Sequence, residues 1–187
     1  MINIEINKEK KERIFQGDIF ENIEYIEGAE IKGEIIEISK IIFPFVIVLT
    51  QDCDLAQDFD SQSKKNTQDK ILISVIIAPL YNAEHVFRGE HLSLLDLQMQ
   101  EISGKTRPTL LKQNQLPRYH YLEMKEDEDI PIVASVIDFK HYFTVNKNYL
   151  LNIKKTNYIC RVNELYRERI SQRFCNFLSR IALPLLL

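Results

Sequence analysis

The sequence has few cysteines, little excess charge and no long apolar run, and each shortage excludes a class of protein. Its 187 residues contain three cysteines with no CxxC spacing, which argues against a disulfide framework or a cysteine-rich zinc or redox motif. A formal net charge of −3 argues against a protein that coats nucleic acid with its whole surface. The longest apolar run, residues 41–49, contains Pro44 and is far shorter than the roughly 20 residues of a membrane-spanning helix.

The first thirteen residues carry too many charges for the apolar region of a signal peptide. We therefore expect a cytoplasmic protein with reduced thiols and no membrane association. A hydrophobic content of 45% and a charged content of 27% are typical of a globular chain. The length favours a single domain over residues 1–187.

Strand patterns dominate the first half of the chain. Residues 45–50 (FVIVLT) and 71–79 (ILISVIIAP) are short runs rich in β-branched side chains, which predicts two central strands. Residues 17–26 and 33–39 alternate apolar and polar positions, as half-buried antiparallel strands do. The polar stretch 58–69 between the central strands predicts a loop.

The second half mixes helix and strand patterns. Residues 85–102 precede a Ser-Gly pair and predict an internal helix with a glycine stop. Residues 118–123 and 132–145 predict further strands, separated by an acidic turn over 125–131. The pattern as a whole indicates an α+β fold with a mainly antiparallel sheet and a core over about residues 14–150.

A C-terminal amphipathic helix is predicted over residues 163–182, ending before Pro184. The residues of its apolar stripe are Ile170, Phe174, Phe177 and Ile181. The arginines beside that stripe are Arg167, Arg169, Arg173 and Arg180. They form either a solvated helix edge or a surface that binds a nucleic acid or a protein partner.

The order of short motifs resembles that of the MazF/PemK family of toxin endoribonucleases. The matching segments are Gly17-Asp18-Ile19, the proline-led strand of residues 44–50, the Ala-Pro strand end of residues 76–80, and Ser135-Val136-Ile137-Asp138. The resemblance covers about residues 17–145 with a large insertion. It implies a small SH3-like barrel, often dimeric, that cleaves single-stranded RNA in that family.

The catalytic positions of that family do not carry over. Its arginine precedes the proline of the second strand, where this chain has Phe43. Its serine or threonine follows the proline turn of the third strand, where this chain has Tyr81. The resemblance therefore implies the fold but not the family's catalytic groups.

The clearest local candidate for a site follows the first central strand. Asp52, Cys53 and Asp54 place two carboxylates and a thiol at a strand end, a common position for functional groups. Acidic neighbours disfavour the thiolate, so Cys53 needs a cationic partner to act as a nucleophile. A structural turn, in which the aspartates cap backbone groups, explains the same pattern.

Arg118 and His120 could supply that partner, because strand alternation puts both on one face of the segment 118–123. Asp138 could orient His120, which would complete a thiol-hydrolase arrangement with Cys53. Asp52 and Asp54 together with His120 could instead bind a cation. A hydrogen-bonded structural role for His120 is the simpler alternative.

The candidate residues leave three functions as alternatives. The first is a non-catalytic MazF/PemK-like binding subunit that docks a protein partner, or a second copy, through its C-terminal helix and the apolar tail 183–187. The second is an RNA-cleaving endoribonuclease with relocated catalytic residues, and the third is a cysteine hydrolase using Cys53. The first two suit a bacterial toxin or defence-type system, and the motifs call for no cofactor.

Overall fold

The fold is α+β and built on one curled antiparallel sheet, as the sequence predicts. The computed structural model describes residues 6–124 and 130–180, which contain eight strands and five helices. The strands are β1 (Ile6–Asn7), β2 (Asp18–Lys32), β3 (Ile35–Val48), β4 (Ser74–Asn82), β5 (Tyr119–Leu122), β6 (Ser135–Asp138), β7 (Phe143–Asn146) and β8 (Tyr158–Val162). The helices are α1 (Asp52–Ser61), α2 (Ala83–Arg88), α3 (Arg107–Lys112), α4 (Lys147–Asn157) and α5 (Glu164–Leu178).

The strand order is β1-β8-β2-β3-β4-β6-β5, with β7 beside the first half of β4. Residues 74–77 of β4 pair with β7, whereas residues 80–82 pair with β6. The segment 132–145, predicted as a single strand beside 118–123, is two strands separated by a 3-10 turn over Phe139–His141. The Asp138 side chain begins that turn by accepting the Lys140 N–H at 3.0 Å.

The two longest strands, β2 and β3, form a hairpin that extends well beyond the rest of the sheet. The predicted strands 33–39 and 45–50 are largely one strand, β3. Only residues 18–20 of β2 pair with β8, and only residues 46–48 of β3 pair with β4. The outer part of the hairpin therefore has no other strand beside it among the described residues.

Helices depart most from the predictions. The predicted helix 85–102 is the short α2, which ends at Gly89 with a φ of 73°, followed by a loop with one 3-10 turn. The predicted loop 58–69 begins inside α1, and α3 and α4 were not predicted. No helix within the described ranges combines the length and the apolar character needed to cross a membrane.

Helix α5 lies inside the predicted range, and its Ile170, Phe174 and Phe177 are buried against the sheet. The predicted stripe residue Ile181, the stop Pro184 and the tail 183–187 lie outside the described residues.

Candidate acid–base site

Five polar side chains converge on one face of the sheet, where β4, β5 and β6 lie side by side. We call them the Asp138 cluster, and its members are Tyr81, His91, Arg118, Asp138 and His141. Tyr81 pairs with Val136 and Tyr119 pairs with Asp138. Cross-strand partners share a face, and so do residues two apart, so the register alone places Tyr81 and Asp138 on the same side.

Asp138 is the centre of the cluster and is fully buried. Arg118 Nε donates to both carboxylate oxygens, at 2.8 and 3.0 Å, and Arg118 Nη2 contacts one of them as well. This bidentate geometry is the strongest form of ion pair between two side chains. It holds the guanidinium in place through Nε and Nη2, and no hydrogen bond from Nη1 to a described residue is recorded.

Two histidines lie beside the carboxylate. His141 Nδ1 is 3.1 Å from the Tyr81 hydroxyl and 3.5 Å from Asp138 Oδ2. The His91 ring packs edge-on against Tyr81, with centroids 4.8 Å apart, and its centroid is 6.3 Å from that of His141. Both ring nitrogens of His91 are buried, and neither makes a hydrogen bond of good geometry to a described residue, although the His85 carbonyl lies close enough to the ring to oppose the fall in its pKa. A buried imidazole without a strong hydrogen bond is available to a ligand.

Two cavities flank the cluster. A cavity of about 530 Å³ is lined mainly by apolar groups and contains Tyr81 and His91 in its wall. A second cavity, of about 270 Å³, is lined by Arg107, Arg118 and Tyr119 among other residues. A mostly apolar cavity with a few convergent polar groups is typical of small-molecule and active sites.

Burial and charge set the protonation states. Burial lowers the pKa of His91 and of His141, and the negative charge of Asp138 opposes the shift in both. Burial raises the pKa of the Tyr81 phenol, and Asp138 raises it further. Tyr81 therefore stays protonated near neutral pH, so its hydroxyl can donate to His141 Nδ1.

His91, Asp138 and His141 also form a possible metal-binding set, because one potential ligand atom from each lies within 4.8 Å of the others. Two imidazoles and a carboxylate suit a divalent transition metal. However, both Asp138 oxygens already accept hydrogen bonds from Arg118, whose positive charge would repel a cation. The arrangement therefore favours proton transfer over metal binding.

Of the residues proposed from the sequence, Arg118 and Asp138 come together, but His120 does not join them. His120 pairs with Ile137, the neighbour of Asp138 on β6, so it lies on the opposite face of the sheet. It is buried beside Phe139, and burial, reinforced by the charges of Arg173 and Arg169, lowers its pKa to about 3. The register therefore keeps Asp138 from orienting His120.

The polar segment after β3 is the first turn of α1. Asp52 accepts hydrogen bonds from Arg13 at 2.9 and 3.1 Å and from the Gln16 N–H at 3.2 Å. Burial alone would raise the pKa of Asp52, but the Arg13 contacts outweigh it and lower the pKa. Cys53 and Asp54 are exposed, and the thiol contacts only acidic or amide oxygens, with no cation beside it among the described contacts.

Most of the arginines predicted beside the C-terminal apolar stripe make contacts within the protein. Arg167 is buried near Asp52, and Arg173 Nη2 donates to the Leu116 and Tyr119 carbonyls at 2.8 Å. Arg180 Nε donates to the Phe177 carbonyl, whereas Arg169 is exposed. These side chains do not form a continuous free basic stripe.

Sequence reasoning missed Tyr81, His91 and His141 as site residues. The spacing of Asp138 and His141, three residues apart across a short turn, was a usable signal. The sequence around His91 carries no such signal, since only the tertiary fold brings His91 to the cluster. Phe43 and Tyr81, the positions where the family resemblance puts catalytic groups, both line the larger cavity.

No protein-family model matches the chain, and no curated protein matches it either.

Proposed function

We propose that this protein cleaves phosphodiester bonds of single-stranded RNA by general acid–base catalysis at the Asp138 cluster. The observation that carries the proposal is the pair of histidines beside a carboxylate–guanidinium pair. Two imidazoles can take and give a proton in one reaction, and a guanidinium can stabilise a pentavalent phosphate.

RNA is the substrate that this set of groups suits best, because the cluster lacks a strong nucleophile of its own. The Tyr81 phenol is held protonated, and the nearby Ser135 hydroxyl donates to the Val133 carbonyl at 2.8 Å. RNA brings its own nucleophile, the 2′-hydroxyl. Arg107 and Arg118 in the smaller cavity favour an anionic substrate, and Tyr119 offers a ring for stacking.

The environments of the two histidines suggest their roles. Asp138 favours the charged form of both histidines, and its recorded contact, at 3.5 Å, is with His141, so we assign His141 as the acid. His91 is the base. It takes the proton of the 2′-hydroxyl as that oxygen attacks phosphorus, while His141 protonates the departing 5′-oxygen. The products are a 2′,3′-cyclic phosphate and a free 5′-hydroxyl, and Arg118 Nη1 contacts the phosphate.

The strand motifs that resemble those of the MazF/PemK family support RNA as the substrate. On the same motifs we propose that the fold is related to the SH3-like barrel of that family. Docking through the C-terminal helix has less support, since the apolar residues Ile170, Phe174 and Phe177 of α5 are already buried in the core.

The test is incubation of the protein with end-labelled single-stranded RNA at low salt, with EDTA or with added divalent metal. Loss of a proton-transfer group costs about 10²–10⁴-fold in rate, so His91→Gln and His141→Gln should each lose at least 100-fold. Asp54→Ala is the matched control and should keep full activity, because Asp54 is exposed on α1. Cleavage that requires metal, or that Asp54→Ala abolishes, would contradict the proposal.

The cleavage rate should depend on pH in a definite direction. The acid must be protonated and the base neutral, and burial lowers the pKa of both imidazoles below the usual 6.5. The rate should therefore reach its maximum below pH 6.5 and fall as pH rises through neutrality. A maximum above pH 7.5, measured with single-turnover kinetics, would assign the chemistry to other groups.

A further inference from the structure

The larger cavity beside the Asp138 cluster has the size and the lining of a pocket for a flat ring. Its volume of about 530 Å³ lies within the range of about 300–1,000 Å³ that is typical of sites for small ligands. Three aromatic residues, Phe43, Phe45 and Tyr81, line it among other apolar groups. Aromatic and apolar surfaces of this kind are what an unstacked nucleobase packs against. The cavity therefore suits one base of a single-stranded RNA.

Glu90 brings a carboxylate to the wall of this cavity. Among the described residues of the wall, no other side chain carries a carboxylate. The Glu90 side chain is exposed and makes no hydrogen bond or ion pair with another described residue. Beside apolar surroundings, a hydrogen bond to a charged acceptor is stronger than the same bond in water. Glu90 is thus an acceptor that is available to a ligand in the cavity.

A single turn fixes both Glu90 and the neighbouring His91. Helix α2 ends at Gly89, which has a φ of 73°, and the Glu90 N–H donates to the His85 carbonyl at 2.8 Å. The Met99 N–H donates to the Gly89 carbonyl at 2.9 Å. A Cβ at residue 89 would lie 2.2 Å from the Met99 carbonyl oxygen, so only glycine fits this turn. The turn therefore brings a carboxylate and the imidazole proposed as the base to the same cavity.

The proposed roles of the two histidines decide which nucleotide uses this cavity. His91 takes the proton of the 2′-hydroxyl, so the ribose that carries this hydroxyl lies beside His91 and the larger cavity. That nucleotide is on the 5′ side of the cleaved bond. The nucleotide on the 3′ side carries the departing 5′-oxygen, and it lies towards His141 and the smaller cavity of Arg118 and Tyr119.

We propose that the larger cavity binds guanine of the nucleotide on the 5′ side of the cleaved bond, with the Glu90 carboxylate accepting from N1–H and from the 2-amino group. This specificity rests on the proposed cleavage of RNA. Guanine is the RNA base with two adjacent N–H donors on its Watson–Crick edge. Adenine and cytosine have a ring acceptor nitrogen beside the amino group, and uracil has a carbonyl on each side of its N–H. An ionised carboxylate only accepts, so guanine alone matches both of its oxygens.

The test is the binding of deoxydinucleotides to the full chain, measured by NMR titration. These probes lack the 2′-hydroxyl and so cannot be cleaved by the proposed reaction. Their first base is guanine, adenine, cytosine or thymine, and their second base is thymine. The guanine probe should bind at least about tenfold more tightly than the others, because two hydrogen bonds to a charged acceptor distinguish it. A probe with hypoxanthine first, which lacks the 2-amino group, should have an intermediate affinity.

Glu90→Gln should abolish the preference for guanine, because a glutamine amide offers one acceptor oxygen and turns a donor towards the second N–H. Glu101→Gln is the matched control. Glu101 is exposed on the loop that follows α2 but lies outside the walls of both cavities, so this variant should keep the full preference. With end-labelled RNA, the wild-type chain should cut on the 3′ side of guanine, and Glu90→Gln should cut without that preference.

Equal binding of all four probes overturns the proposal. So does a guanine preference that Glu90→Gln leaves intact or that Glu101→Gln also removes. The pocket and the activity can fail separately. RNA cleavage without a preference for guanine on the 5′ side would keep the activity and remove the pocket. Guanine binding that depends on Glu90, in a chain that cleaves no RNA, would keep the pocket and remove the activity.

Discussion

Two aspartates among the described residues, Asp18 and Asp138, are completely buried, and their surroundings differ. The Asp18 cluster consists of Asp18, Lys154, Arg161 and Phe15. Asp18 accepts from Arg161 at 2.6 Å and from Lys154 at 3.0 Å. Both cations are themselves buried, and each lies over the Phe15 ring.

The Asp138 cluster has the same kind of ion pair but is left open. Its Arg118 side chain is 28% exposed, and two cavities adjoin it. His91 makes no hydrogen bond of good geometry to another described side chain. The Asp18 cluster is closed to solvent and holds the sheet together, whereas the Asp138 cluster is open to solvent and to the adjoining cavities and is available to a substrate.

Asp18→Asn should have the largest effect on stability. The change removes the only carboxylate in contact with Lys154 and Arg161 among the described ion pairs, leaving two buried cations unbalanced. Breaking a buried pair in this way costs about 3–5 kcal/mol. Urea unfolding measures the loss, and the exposed Asp54→Asn should change stability by less than about 0.5 kcal/mol. A loss below about 1 kcal/mol for Asp18→Asn would show that the cluster is not sealed.

His120→Leu tests a third buried side chain, the His120 imidazole, which is buried without an opposite charge in the contacts described for it. Its pKa of about 3 in the folded protein is lower than its ordinary 6.5, so the unfolded chain binds a proton that the folded chain does not. Wild-type stability should therefore be complete above pH 6.5 and decline below it, by up to about 1.4 kcal/mol per pH unit from this group.

The leucine variant lacks that titratable group, so between pH 7 and pH 4 it should gain about 3 kcal/mol of stability relative to wild type. Chemical denaturation at pH 7 and pH 4 measures the difference between the two proteins. If wild type and variant lost the same stability between pH 7 and pH 4, His120 would have to be protonated or solvated in the folded state.

Asp138→Asn should cost less stability than Asp18→Asn, about 1–2 kcal/mol, because water can solvate the partly exposed Arg118. Its effect on the site should be larger. Asp138 supports the charged forms of His91 and His141, so its loss should lower the pKa of both and move the activity maximum to lower pH. Equal stability losses in the two aspartate variants would remove the distinction between the clusters.

The same contrast explains what the sequence could predict. The β-branched runs 45–50 and 71–79 mark central strands because their side chains suit a buried sheet whatever surrounds them. Asp52 and Asp54 marked a site from sequence, yet two acids in a first helical turn also suit the positive end of α1. Local pattern cannot choose between these interpretations.

The Asp138 cluster depends on register and on long-range contact, which sequence periodicity does not encode. Arg118 and Asp138 could be named, but whether Asp138 faces His120 or Tyr81 depends on a one-residue choice of register between β5 and β6. The short α2 also had a visible stop at Gly89, and placing it correctly would have left His91 in a loop.

Tyr81→Phe should have the smallest effect on stability, below about 1 kcal/mol, because it removes one neutral hydrogen bond to a half-buried ring. The more informative effect of this variant is the direction in which the pKa of His141 changes. When Nδ1 of His141 carries no proton, the protonated phenol can donate to it, and this contact favours the neutral imidazole. Without it, Nδ1 can take up a proton facing Asp138, and the pKa of His141 should rise, whereas Asp138→Asn should lower it. Histidine ring NMR titrations of the two variants measure both shifts. Opposite directions would show that Tyr81 and Asp138 compete for one nitrogen of His141, and shifts in the same direction would exclude that arrangement.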